Sequence, residues 1–195
     1  MKKSILFIAA MVFSTTFVAA QEFVYFGAKG GVNFSTFSGD GWSDFEDESA
    51  RTAYHLGLVA EIPLSDRFSL QPEVLYSAQG YDIVEVEDGD DLEHKLDYVS
   101  VPVMAKFYVV RGLSLEAGPQ FSFLADHEVG FGDNDMDVSD DNINKFDLSL
   151  GLGASYKFNN FFLYGRYNAG MTDIYDIEGV EAKNSVVQAG IGFLF

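Results

Sequence analysis

Eight stretches of this chain alternate apolar and polar residues with a period of two, and that pattern limits the fold more than any other feature. Successive side chains of an extended strand point to opposite faces, so each stretch writes one greasy face and one polar face. The first sets Val24, Phe26, Ala28, Val32 and Phe34 against Tyr25, Lys29, Asn33 and Ser35. The sixth sets Phe146, Leu148, Leu150, Leu152, Ala154 and Tyr156 against Asp147, Ser149, Gly151, Gly153, Ser155 and Lys157. The others begin near Tyr54, Phe68, Val99, Leu113 and Phe161, and the last runs to the C-terminal Phe195. Each is near the ~9–11 residues that a tilted strand needs to cross a bilayer.

A soluble sandwich also alternates, and two features separate the readings. First, the connections are of two unequal kinds. Residues 63–67, 109–112 and 159–160 read as tight turns, whereas 37–51, 81–94, 126–143 and 171–183 are long and polar. Short and long connections take turns along the chain, which puts all the long ones at one end. Second, large aromatics on the apolar face gather at strand ends. Phe26, Phe68, Phe107, Phe158, Phe161, Phe193 and Phe195 fall near the turns, and Phe34, Tyr54, Tyr76, Phe123, Phe146 and Tyr167 near the long connections. Two girdles with aliphatic residues between them suit the two interfaces of a bilayer. Lipid cannot satisfy open backbone groups, so such a sheet must close. The expectation is an all-β fold: an eight-stranded, antiparallel, up-and-down transmembrane β-barrel.

The termini agree. In the closing octet, Ala189, Ile191, Phe193 and Phe195 share the greasy face, and Gln188, Gly190 and Gly192 the other. This ending resembles the C-terminal signal by which the barrel-assembly machinery recognises its clients, with Gln188, Gly190, Phe193 and Phe195 as the signal positions. At the other end, Lys2 and Lys3 precede an apolar run from Ser4 to Val18, and small residues follow at Ala19 and Ala20. That is the pattern of a secretory signal peptide over residues 1–20, leaving 21–195 as one barrel domain. No later segment has the ~18 apolar residues of a spanning helix. Cysteine is absent, which removes disulfides and cysteine metal sites. A net charge of −18 argues against nucleic acid as a partner.

Several runs together resemble the small outer-membrane β-barrel proteins of the PorT-like "porin family", with OmpX-like barrels as wider relatives. They are Phe26-Gly27-Ala28-Lys29-Gly30-Gly31-Val32-Asn33, Leu70-Gln71-Pro72-Glu73-Val74-Leu75-Tyr76, Asp97-Tyr98-Val99-Ser100-Val101-Pro102 with Lys106, Leu115-Glu116-Ala117-Gly118-Pro119-Gln120 and the last strand. The resemblance covers nearly all of residues 21–195. It implies the fold and a place in the outer membrane of a Gram-negative bacterium, and it carries no catalytic residue.

An eight-stranded barrel has room inside only for side chains. The inward parity holds Lys29, Glu61, Glu73, Lys106, Glu116, Lys157 and Arg166 as a polar network of acids and bases, together with Asn33, His55, Gln71, Gln120, Asp147 and Gln188. Charges taken out of water need partners, so the expectation is an internal plug of ion pairs. A narrow ion path is the other reading.

Of the 30 acids, 23 lie in the four long connections. A solvated, self-repelling surface is one reading. Cation binding is another, since oxygen-rich loops suit Ca²⁺. Asp133, Asp135 and Asp137 have the opening spacing of a calcium loop, yet the glycine is missing and Asn144 stands where the closing glutamate belongs, so an EF-hand is rejected and a looser calcium site is left. No other cofactor is implied. The only histidines are His55, His94 and His127, and no nucleophile-elbow motif occurs, so an enzyme is not expected. The role expected is structural or interactive: a lipid-embedded barrel whose acidic loops meet a protein or surface polymer, with no open pore. The alternatives are a narrow conduit for small solutes and an accessory subunit of a secretion or envelope-assembly complex.

Overall fold

All eight alternating segments form strands of one closed sheet. The computed structural model describes residues 24–38, 48–49, 51–83, 92–131, 134–137, 144–173 and 183–195. The strands are β1 (Tyr25–Ser38), β2 (Arg51–Ser65), β3 (Phe68–Ile83), β4 (Leu92–Val110), β5 (Leu113–Phe131), β6 (Phe146–Phe158), β7 (Phe161–Asp173) and β8 (Lys183–Leu194). Each pairs antiparallel with its sequence neighbours, and β1 pairs with β8 to close the ring. The closing register runs from Gly27 opposite Leu194 to Ser38 opposite Lys183. Two short strands lie beside the ring: Glu48–Ser49 pairs with the end of β3, and Asn134–Asp137 with the end of β5.

Closure follows from the two faces. The outward set is apolar and uncovered, as at Leu58 (68 % exposed) and Leu152 (54 %), while inward Ser149 and Gln188 are buried. The three tight connections are two-residue turns at 66–67, 111–112 and 159–160. Gly112 has φ 86° and Asn159 φ 54°, left-handed values that glycine and asparagine tolerate best. At these turns the chain reverses without leaving the barrel rim.

Aromatics pair across strands at both ends of the barrel. Near the turns, Phe68 and Phe107 lie 4.9 Å apart between ring centroids, and Phe161 and Phe193 lie 5.0 Å apart. Near the long connections, Tyr54 and Tyr76 lie 6.2 Å apart and Phe123 and Phe146 5.5 Å apart. Two belts of this kind flank the aliphatic band.

Strand length departs from expectation. β4 and β5 each run for 19 residues, into segments that the polar composition reads as connections. Their ladder continues to Leu92 opposite Phe131. Backbone pairing has no need of an apolar face once a hairpin has left the bilayer, so alternation marks the membrane-crossing part of a strand and misses its extension.

Candidate functional site

The lumen is built by the inward parity of all eight strands. Lys29 comes from β1, Glu61 from β2, Gln71 and Glu73 from β3, Lys106 from β4, Glu116 from β5, Lys157 from β6 and Arg166 from β7. All are buried except Lys157, whose side chain is 28 % exposed at the turn end.

Glu73 is the centre. Its carboxylate accepts Nη2 of Arg166 at 2.8 Å and Nη1 at 3.1 Å, which is a bidentate pair. It also accepts Lys29 Nζ at 2.9 Å and Gln71 Nε2 at 2.8 Å. Arg166 Nε donates to Glu116 at 2.9 Å. Lys29 and Arg166 thus balance Glu73 and Glu116, and the guanidinium is held between two carboxylates from different strands.

Gln71 relays the network toward the turns. Its Oε1 accepts Lys106 Nζ at 2.9 Å. Lys106 stands 4.0 Å from the carboxylate of Glu61, which Lys157 approaches to 3.3 Å and to which the Tyr108 hydroxyl donates.

Toward the long connections, the partners are neutral. Asn33 Nδ2 donates to Ser77 Oγ at 3.0 Å and to the Ala78 carbonyl at 2.7 Å. Asn33 Oδ1 lies 2.7 Å from His55 Nδ1 and accepts Gln188 Nε2 at 3.1 Å. A neutral imidazole satisfies this arrangement if Nδ1 carries the proton and Nε2 accepts the Tyr164 hydroxyl. Both ring nitrogens are then engaged within the barrel.

The geometry matters because of who reaches whom. In a ring of eight, β3 faces β7 and β2 faces β6 across the axis. Arg166–Glu73 and Lys157–Glu61 are therefore bridges across the whole lumen, at two heights. Side chains meet in the middle, and little width is left for a solute.

Comparison with known proteins places this architecture. The sequence profile of the outer membrane protein beta-barrel domain matches residues 19–176. The chain belongs to that family. Solved barrels share its fold at low identity. Neisserial surface protein A is 13 % identical, covering 89 % of this chain and 100 % of that one, with a TM-score of 0.56. Ail, the attachment invasion locus protein of Yersinia pestis, crystallised in complex with the heparin analogue sucrose octasulfate, is 15 % identical, covering 88 % and 99 %, with a TM-score of 0.54. No curated protein matches the chain.

As a member of the outer-membrane barrel family, the protein resides in the outer membrane of a Gram-negative bacterium, with its aliphatic band and aromatic belts in lipid. Gln188, Gly190, Phe193 and Phe195 all lie at the closing strand or just past it. Gln188 is inward and bonded to Asn33, while Phe193 and Phe195 face outward. Of the calcium candidates, Asp133 lies outside the described residues, and Asp135 and Asp137 lie on the short strand Asn134–Asp137. Among the described residues no group of acids or histidines is placed to hold a metal. Residues 1–20 also lie outside the description, as do the centres of the four long connections.

Sequence reasoning passed over the large inward residues that fill the lumen: Val59, Leu75, Tyr98, Tyr108 and Phe162. The signal was parity. Each stands two residues from an inward polar group, as Tyr108 does from Lys106 and Phe162 from Tyr164, but an apolar or aromatic identity suggests lipid. Glycine makes room for the Phe162 ring and for that of its inward neighbour Tyr164. A Cβ at Gly192 would stand 2.1 Å from the Phe162 ring, and one at Gly190 2.6 Å from the Tyr164 hydroxyl. Both glycines are the register partners of those aromatics.

Proposed function

We infer that this protein is a closed outer-membrane anchor whose contacts are made outside the bilayer, an interaction protein with no solute path. The observation that carries this reading is the bidentate Arg166–Glu73 pair across the lumen, backed by Lys29, Gln71 and Glu116. Opening a path would require parting buried charges, at about 3–5 kcal/mol for each partner left alone.

Barrels of this kind carry short turns on the periplasmic side and longer loops outside. On that orientation the acidic connections face the medium. Ail binds a sulfated heparin analogue; a surface with 23 acids would repel such a polyanion. A basic protein, or a polymer bridged by cations, fits it better, and Asp133, Asp135 and Asp137 are the candidates for holding Ca²⁺. Within the family we assign the chain to the PorT-like group, on the sequence runs that resemble it. We take residues 1–20 as a cleaved signal peptide and the closing strand, with Gln188, Gly190, Phe193 and Phe195, as the segment read by the barrel-assembly machinery. No catalytic role is assigned.

Crosslinking in native outer membrane followed by affinity capture tests the reading. A defined partner lost when the acidic loop residues are neutralised supports it. Capture of a stoichiometric assembly that is indifferent to the loops points instead to an accessory subunit held through its turns. A steady conductance would replace both with a narrow conduit.

A further inference from the structure

The turn end of the barrel carries a second site, which shares Glu61 and Lys157 with the plug and adds two arginines that the plug does not use. A cavity of ≈ 700 Å³ opens there, within the usual size of a small-ligand site. Arg67, Arg111 and Lys157 line it together with Glu61, Asp66 and Tyr25. The Tyr108 amide donates to the Arg67 carbonyl at 2.8 Å, and the Lys157 amide to the Gly112 carbonyl at 2.7 Å, so three turn-end segments are laced into one rim.

The charges of this rim are unequally committed. Glu61 already faces Lys106, Lys157 and the Tyr108 hydroxyl. The guanidiniums of Arg67 and Arg111 are exposed, and neither has an ion pair among the described residues. Asp66 is the only other acid in the lining. With Lys157 and Glu61 paired, two guanidiniums face Asp66 alone, which leaves the mouth positive in a chain of net charge −18. A concave wall with one sign of charge concentrates ions of the other sign, and guanidiniums match carboxylate and phosphate oxygens in pairs.

We propose that this cavity binds a compact anion bearing carboxylate or phosphate groups, held by Arg67 and Arg111 with Lys157 at its floor. The phosphate could come from a soluble molecule or from a lipid headgroup of the adjoining leaflet, and the test separates the two.

The folded protein in zwitterionic micelles is titrated with inorganic phosphate and with citrate at constant ionic strength, while the arginine Nε–H resonances of Arg67 and Arg111 and the backbone amides of Gly112 and Lys157, which a variant lacking both arginines retains, are followed by NMR. Saturable shifts confined to the turn end are expected. The paired substitution Arg67→Gln and Arg111→Gln, which lies outside the lumen network, should weaken binding by about tenfold or more. Nanodiscs with and without phosphatidylglycerol then assign the source. Arginine shifts that anionic lipid induces, and that soluble phosphate cannot add to, identify a headgroup; identical titrations in both identify a soluble anion. Shifts that rise without saturation in the unsubstituted protein, or an affinity unchanged in the folded double variant, would overturn the proposal.

Discussion

The two faces of the same strands are built on different principles. On the outer face, residues are nearly interchangeable: Leu58, Leu152 and Ile191 all meet lipid, and each needs only to be apolar and outward. On the inner face, the charged residues of the network have specific partners. Arg166 needs Glu73 and Glu116, Lys106 needs Gln71, and Phe162 needs a glycine at 192. The outer face therefore sets the fold class and the location, whereas the inner face decides whether the barrel is a pore.

The comparison is broken most directly by removing the hub. Glu73→Ala leaves Arg166 short of one carboxylate and Lys29 without its acid, and should cost about 3–5 kcal/mol in urea unfolding from lipid vesicles. A cost like that of a surface change would mean the inner face is as interchangeable as the outer. On the outer face, Leu150→Arg should cost about 2–4 kcal/mol because a charge enters the hydrocarbon. Leu150→Phe should pass almost unnoticed, and equal costs for the two would undo the face assignment. Gly192→Ala drives a methyl toward Phe162, and should cost about 1–3 kcal/mol by overpacking. Phe162→Leu in the same chain should recover part of that loss, which a double-mutant cycle measures. The smallest effect is expected at the turn-side belt, where a Phe68→Leu and Phe107→Leu cycle should show about 0.5–1.5 kcal/mol of ring–ring coupling. Coupling there as large as at Glu73 would make the outer face partner-specific too.

Much of this was legible in the sequence, for physical reasons that differ between the faces. Parity alone places Leu150 in lipid and Lys29, Glu73 and Arg166 inside. Parity also places Phe162 and Tyr108 inside, but their chemistry points outward, so the polar filling of the lumen is legible and the large apolar and aromatic part of it is not. Which acid meets which base was not legible, because Arg166 and Glu73 are 93 residues apart and are joined only by the closure and shear of the ring. The extension of β4 and β5 was hidden because ladder hydrogen bonds beyond the bilayer leave no alternating mark. The turn-end cavity was hidden for a different reason: adjacent hairpins put Arg67 and Arg111 on one rim, but alternation carries no sign that a cavity opens between their turns.

Single-channel recording in a planar bilayer tests the central claim that cross-lumen ion pairs seal the barrel. With Arg166–Glu73 and Lys157–Glu61 spanning the axis, insertion of the purified protein should give no steady current at neutral pH. A uniform, ohmic conductance step at each insertion would contradict the seal and make the protein a conduit.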